Sequence, residues 1–436
     1  MPSLKVLISG GGVAGTSLAF WLTKLGHHVT VVEHFPSLRT TGLQIDVRDE
    51  GIEVLRRMGL EKAFREHAAP EEGMQLVDSK GRKRVYLAAN KSGKGSQTFT
   101  SEFEIMRGDL CRLIHDATDG ANYVFGTSVA SYKDTESGVD VLFKNGKAET
   151  FDLMIGADGV WSSTRKMMLG KQGAAVVWHP LHEAAAYLTI PDSMQPGQTY
   201  DADFYIAPDQ RSILVRRHNP TTKQLYLLLN RDDERLQKTK RADVDAEKAA
   251  FAEIFADAGW KAPELLKAMQ QSDDFYCERL GMVKMDTWYQ NHVGLLGDAG
   301  YAPGGSGMGT TCAMIGAYVL AGEISQYCRS VSSENDTSHE GLRNGLPSAL
   351  KAYDRTFRPF MDIIQKGAEG SIVSWLLPTS PFGIEVFHTI AEILMWLKIG
   401  TILQFFMIKT GEKWKLPDYE ALREVEAELR ANEKQH

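Results

Sequence analysis

The sequence predicts an α/β protein: a domain built on a parallel sheet, interrupted by an inserted domain with a mixed or antiparallel sheet, and closed by a helical tail. Three observations predict it. A short apolar strand, a glycine turn, an apolar helix and a second strand open the chain. The order of strand, glycine turn and helix returns after residue 290. Between them, over residues 172–275, strand-like runs follow one another and end in a pair of helices. Runs of strands followed by helices mark a separate α+β unit. At about 150 residues per domain, a chain of 436 residues has room for such a division. The boundaries read as 1–72, 100–172 and 276–368 for the first domain, 73–99 and 173–275 for the inserted one, and 369–436 for the tail.

Taken in order, residues 4–9 read as a short buried strand, 16–25 as a helix stopped by Gly26, and 29–32 as a second strand closed by Glu33. That is a β-α-β unit of about 30 residues. Residues 50–68 carry apolar positions at helical spacing, at Ile52, Leu55, Met58 and Phe64. A polar loop is read at 91–97. A helix follows Arg107, with Leu110, Leu113 and Ile114 on one face. Residues 123–143 read as paired strands, with Asn145-Gly146 as a hairpin turn. Residues 151–155 form another strand, ending at Gly156-Ala157-Asp158-Gly159. In the inserted region, strands are read at 185–190, 204–206, 212–216 and 225–229, and helices at 243–258 and 262–271. Residues 293–296, 310–327 and 346–367 then give a strand and two helices. The stretch 330–339 reads as a surface loop.

Composition excludes several classes. With 43% hydrophobic and 24% charged residues the chain is neither disordered nor fibrous. A net charge of −7 repels a phosphate backbone, and Lys and Arg do not cluster, so nucleic acid is not expected as a partner. The four cysteines form no CxxC pair and the twelve histidines do not cluster, so no metal site is read. Four isolated cysteines fit a reducing compartment, and glycines follow the first apolar run at once, where a secretion leader would continue. A cytoplasmic location is the expectation. No serine sits in a nucleophile-elbow context.

The chemistry lies in three glycine-bearing elements. The first is Gly10-Gly11-Gly12-Val13-Ala14-Gly15. Gly10 permits a tight turn, Gly12 lets backbone approach a pyrophosphate, and Gly15 lets the helix pack close to the strand. The helix start then faces the phosphates with free N–H groups. Glu33 follows roughly 20 residues on, where a carboxylate meets a ribose diol. This Rossmann-like turn leaves NAD and FAD open. The second element is Asp152-Leu153-Met154-Ile155-Gly156-Ala157-Asp158-Gly159 with Ser162 and Arg165. The third is Gly297-Asp298-Ala299 after a strand, then Pro303, Gly307, Met308, Gly309 and Thr310. One cofactor touched from both ends of the chain is long and extended.

These motifs, in this order, resemble the single-component FAD-dependent aromatic hydroxylases of the para-hydroxybenzoate hydroxylase type. Gly307-Met308-Gly309-Thr310-Thr311 and the run from Ala317 to Glu323 are closest in style to the tetracycline-inactivating FAD monooxygenases. The resemblance covers residues 1 to about 360. It implies a monooxygenase that uses FAD, NAD(P)H and O2, through a flavin C4a-hydroperoxide, on a small organic substrate of aromatic or polycyclic secondary-metabolite type. It also implies roles for particular residues. Glu33 holds the adenosine ribose and Val129 offers a backbone contact to adenine. Thr41, Gly42, Gln44 and Asp46 lie beside the isoalloxazine, and Arg107 contacts FAD ahead of a helix. Asp158, Gly159 and Arg165 match a second fingerprint linked to FAD and NAD(P)H. Asp298 lies near the pyrophosphate and ribityl chain, and Gly307, Gly309 and Thr310 lie under the flavin ring. Two departures stand out: Gly300-Tyr301 replaces the usual Ala-His, and His34 follows Glu33 where arginine is common.

In the inserted domain, Tyr187, Phe204 and either Arg216 or Arg217 are candidates to line a cleft over the flavin, because neighbours in a strand face opposite ways. Arg216 is the one taken as catalytic. The apolar stretch 384–408 contains Glu385, Glu392 and Lys398, too many charges for a spanning helix. A helix packed on the domains is the reading taken, with peripheral membrane contact through Phe387, Trp396, Phe405 and Phe406 as the other. An FAD-dependent reductase or oxidase, or an FAD-binding partner without turnover, are the competing functions.

Overall fold

The computed structural model describes residues 3–39, 42–90, 102–328, 339–369, 378–397 and 414–433. Thr41, the 91–97 loop, most of the 330–339 loop and the 398–408 part of the apolar stretch lie outside the described residues.

Six strands form the first sheet, in the order Tyr289–Gln290, Val293–Leu295, Leu153–Gly156, Lys5–Ser9, His28–Glu33 and Asn122–Phe125. All neighbours are parallel except the Tyr289–Gln290 edge. Their continuous apolar runs reflect burial on both faces. Val6, Ile8, Val31, Leu153 and Ile155 point into a layer of helices. Leu7, Val32, Met154 and Val293 point the other way, into an antiparallel meander of Val129–Thr135, Gly138–Phe143 and Ala148–Phe151. In the helical layer Val13–Lys24 lies beside Gly309–Tyr327, with Trp21 edge-on to Tyr318 at 5.4 Å.

Two local readings change. Asn122–Phe125 does not pair with the following strand: it runs parallel to His28–Glu33, and the Asn145-Gly146 turn joins Gly138–Phe143 to Ala148–Phe151. The helix read over 50–68 is two, Glu50–Arg57 and Glu61–Glu66, separated where Gly59 takes a φ of 71° that an α-helix cannot continue through.

The second sheet has seven strands, in the order Tyr276–Val283, Trp178–Pro191, Thr222–Leu229, Arg211–Arg216, Ala202–Ala207, Gly73–Val77 and Lys83–Ala88. It is antiparallel except between Ala202–Ala207 and Gly73–Val77. Tyr276–Val283, read from the sequence as part of the first domain, is the edge strand of this sheet, which therefore runs past residue 275. One face carries Ala184, Ala186, Ile213, Val215, Leu225 and Leu227 under the helices Val244–Phe255 and Ala262–Gln271. The alternate residues look toward the first domain.

The tail divides between the helical layer and the second sheet. Tyr419 lies on Gly322, where a Cβ would come within 2.2 Å of its ring, and donates to Glu323 Oε1 at 2.9 Å. Trp414 donates to the Thr356 carbonyl at 3.1 Å. The helix Pro381–Trp396 lies on the outer strand Lys83–Ala88. Its Glu385 and Glu392, one heptad apart and so on one side, both meet Arg84. Phe382, Ile390, Ile393 and Trp396 remain exposed. Among the described residues no helix is long and apolar enough to cross a membrane.

Candidate active site

The first glycine turn is sterically obligatory. Gly10 has a φ of 117°, and a Cβ there would stand 2.3 Å from the Ala157 carbonyl oxygen. A Cβ on Gly15 would stand 1.9 Å from the carbonyl oxygen of Gly10, so helix and turn close only on hydrogen. Around Gly12 a Cβ would meet only the Arg107 Nη2, at 3.3 Å. The helix Val13–Lys24 starts there without a side-chain cap and with no acid in its first turn. Free N–H groups at such a start favour an anion.

Glu33 ends the second strand and is buried. Its Oε2 accepts from the Gly11 amide at 2.8 Å and its Oε1 from the Phe35 amide at 3.0 Å. Arg107 donates its amide to Leu43 at 2.8 Å, and its stem lies across Gly42, whose φ is 147°. Its guanidinium forms no ion pair among the described residues. Asp46 sits on the short strand Gln44–Asp46 and pairs with Arg48 at 2.5 Å. Val129 is buried in the meander's core with Val32.

The second fingerprint divides its work. Asp158 Oδ2 accepts from the Ser163 and Thr164 amides at 2.8 and 2.9 Å, and its Oδ1 from the Ser162 hydroxyl at 2.5 Å. Those are N-terminal capping bonds for the helix Ser163–Val176, so the Asp158 expectation changes: its carboxylate serves the helix start. Arg165, almost fully buried, donates to the Ala299 and Val160 carbonyls at 2.7 and 2.6 Å. It thereby anchors the short helix Asp298–Tyr301.

Asp298 begins that helix, after Gly297 at a φ of 66°. Burial raises its carboxyl above the usual range, against the pull of Arg107 and Arg165. A Cβ on Gly309 would stand 3.9 Å from its Oδ1. Gly307, at φ 73°, has nothing within 4 Å of a Cβ. The Gly309–Tyr327 helix then starts with no side-chain cap, Gly309 and Thr310 leading it. Tyr301, in place of the usual histidine, turns into the core, 2.9 Å from the Tyr353 hydroxyl and over Gly316.

These residues fit an extended dinucleotide. Two uncapped helix starts, an acid at the second strand's end, a guanidinium without an ion pair among the described residues and a cradle open at Gly12 and Gly307 lie along one cleft. FAD would meet Gly10–Gly15 with its phosphates and the Gly307–Thr310 start with its ring system.

The cleft face of the second sheet supplies the opposite wall. Register places Tyr276, Tyr187, Tyr226, Leu214 and Phe204 in one row across five strands. Tyr187 lies edge-on to Tyr226 at 5.3 Å and stacks on Tyr276 at 6.5 Å. Tyr187 and Phe204 therefore share a face. Beside this row come Glu278, Ala185, Leu228 and Ser212. A Cβ on Gly305 would stand 3.3 Å from the Glu183 Oε2, so the loop before Gly307 touches this wall.

Arg216 is also on this face, but buried rather than open to a ligand. Its Nε donates to Glu71 Oε2 at 2.7 Å, and its Nη2 pairs with Glu104. Gln44 Nε2 donates to both glutamates, at 3.2 and 2.5 Å. Burial raises the Glu71 carboxyl, the Glu104 charge adds to it, and Arg216 opposes it. Arg216 is thus a clamp between the two domains, which corrects its reading as a catalytic side chain. Arg217 points away, to Asp192 at 2.7 Å. Sequence reasoning missed Glu71, Glu104, Gln224, Tyr226 and Glu278. Only the alternation Tyr276, Glu278, Leu280 carried a local signal.

The fold and the glycine-lined site define a flavoprotein of mixed α/β architecture. The model of the FAD binding domain family matches residues 3–335. The chain is 42% identical over 427 residues, 97% of its length and 99% of the relative's, to the FAD-dependent monooxygenase asL4 of Sarocladium schorii. It is 37% identical over 407 residues, 90% and 92% of the two chains, to the flavin-dependent monooxygenase eupH of a Phoma species. Among solved structures, tetracycline destructase Tet(55) superposes with a TM-score of 0.78 at 26% identity, covering 96% of this chain and 99% of the other. The chain belongs to the FAD binding domain family and is an FAD-dependent monooxygenase.

Proposed function

We propose that this monooxygenase uses NAD(P)H and O2 to oxygenate a small aromatic or polycyclic molecule of secondary-metabolite type. The observation that carries the reading is the aromatic row Tyr276, Tyr187, Tyr226 and Phe204 facing the cofactor cradle. Flat apolar rings stack on such a surface, and the sheet keeps it rigid. The reduced flavin, when bound, supplies the activation of O2. The chain's own residues do the rest. Gly10, Gly12 and Gly15 admit the pyrophosphate, and Glu33 holds the adenosine ribose. Arg107 and Asp298 meet the middle of the cofactor, with Gly42, Asp46, Gly307, Gly309 and Thr310 around the ring and Val129 near the adenine end. The aromatic row keeps water from the ring end of the cofactor. The names of the relatives favour this reading over a reductase, an oxidase or a non-catalytic FAD carrier.

The test is NAD(P)H oxidation and O2 uptake by the purified yellow protein against a panel of hydroxylated ring compounds. Ligand-stimulated oxidation with oxygenated product is expected. Flavin that is reduced without ever transferring oxygen would overturn the reading.

A further inference from the structure

Among the described residues, the cations on or beside the cleft face are paired or gather around Tyr276. Arg216 is enclosed by Glu71 and Glu104, and Arg217 turns away to Asp192. Arg279, one residue along the edge strand from Glu278, also turns away, to Glu247 at 2.8 Å. Arg39 lies over Phe35 and Tyr276, 5.4 and 5.5 Å from the ring centres. Arg107 faces Gly12, and Arg241 lies over Trp161 at 4.4 Å. Arg39, Arg107 and Arg241 all act on Tyr276, so positive charge gathers at the end of the wall nearest the first glycine turn.

The next rows along the same strand are acidic, with Arg107 acting on the first of them as well. Glu278 follows Tyr276 on the same face, and Glu183 sits diagonally across the pairing, beside the Gly304–Ser306 turn. Neither carboxyl has a hydrogen bond or ion pair among the described residues. Ala185, Leu228 and Ser212 continue the Glu278 row, leaving a shallow floor of small and apolar side chains.

We propose that this cleft selects neutral hydroxylated ring systems and rejects aromatic carboxylates, with Glu278 and Glu183 as the specificity-determining pair. A phenolic O–H donates to a carboxylate in a charge-assisted bond. A carboxylate ligand would instead meet the like charge of Glu278 and Glu183 in the cleft, opposed among the described residues by Arg107, which lies on the cofactor side. The inference rests on the reading of this face as the substrate wall.

The discrimination depends on pH. The groups facing Glu278 are Tyr276 on its own strand, Tyr187 on the next, Asp298 from the short helix and Arg107 across the cleft. Burial, with Asp298 adding to it and Arg107 opposing, pushes the Glu278 carboxyl up to about 7. It gains charge as the pH rises through that value, so rejection of anions is stronger at pH 8 than at pH 6.

The experiment uses the FAD-loaded enzyme and reads binding from the flavin absorbance change, without turnover. The probes are matched pairs of hydroxylated mono- to tetracyclic ring compounds, each pair differing only as carboxamide against carboxylate. The amide should bind at least about tenfold tighter at pH 8. The gap should narrow at pH 6 and in Glu278→Gln and Glu183→Gln, whose retained yellow colour reports an intact fold. Equal or tighter carboxylate binding would overturn the charge proposal and leave the wall reading standing. Failure of every pair to bind, with FAD affinity normal, would overturn the wall reading and this proposal with it.

Discussion

The Glu33 carboxylate accepts the Gly11 amide at 2.8 Å, so the acid that ends the second strand also fixes the turn that starts the first helix. Removing it loosens the ribose site and the phosphate turn together. Glu33→Ala should weaken FAD binding by about 1–3 kcal/mol, the scale of a hydrogen bond to a charged group. Titrating the apoprotein with FAD, followed by flavin fluorescence, measures it. An unchanged Kd would remove Glu33 from the cofactor site.

Asp298→Ala should lose FAD affinity while keeping the fold. The carboxyl is held above its usual range by burial, and it makes no hydrogen bond to the protein among the described residues. Its removal therefore strips little packing. Circular dichroism melting beside FAD titration separates the two effects. A large drop in Tm in the apoprotein would assign Asp298 to the fold instead.

Arg216→Ala should destabilise the protein by about 3–5 kcal/mol, because it leaves Glu71 and Glu104 buried without their cation. Glu71→Gln should be much milder. Denaturant unfolding gives both numbers, and near-equal values would show that the charge is not what matters.

The same cluster sets a pH dependence. Glu71 has a folded-state pKa raised above its unfolded value. The folded state therefore binds the extra proton. Stability contributed by this carboxyl is present at low pH and is lost as the pH rises from the ordinary carboxylate range, about 4.3, toward neutrality. The wild-type Tm should fall over that window, and Glu71→Gln should flatten the slope. A slope identical in the two proteins would exclude Glu71 as its source.

Deleting residues 371–436 should weaken folding more than any attachment to lipid. The deletion uncovers Gly322 and Glu323, and losing the Tyr419 ring alone is worth about 3–5 kcal/mol on the scale of buried aromatics. Tm measurement of the truncated chain, paired with liposome flotation of the full one, decides it. Strong flotation with an unchanged Tm would reverse the reading.

What the sequence made legible was local. The glycine turns could be read because their steric demand falls within a few residues, as the Gly15 hydrogen facing Gly10 shows. Gly59 breaks a helix for an equally local reason, yet its effect was hidden under a regular apolar pattern. Asp158 looks like a cofactor ligand by motif, while its capping bonds span only six residues. The Arg216 cluster was out of reach: Glu71 and Glu104 stand 145 and 112 positions away and meet only when two sheets close. Asn122–Phe125 was misread because pairing partners in a parallel sheet are remote by construction.

The side-by-side packing of Val13–Lys24 and Gly309–Tyr327 also sets a schedule for biosynthesis. The first helix, buried over almost its whole length in the finished protein, leaves the ribosome long before its partner. At roughly 5–20 residues per second, synthesis of the intervening chain takes on the order of 15–60 s. For that interval the helix has its early neighbours, Arg107–Asp116 and the first strands, but the face that Gly309–Tyr327 will cover stays open. A nascent chain arrested before residue 309 is therefore a natural client for holding chaperones, and its release depends on the last third of the message being translated.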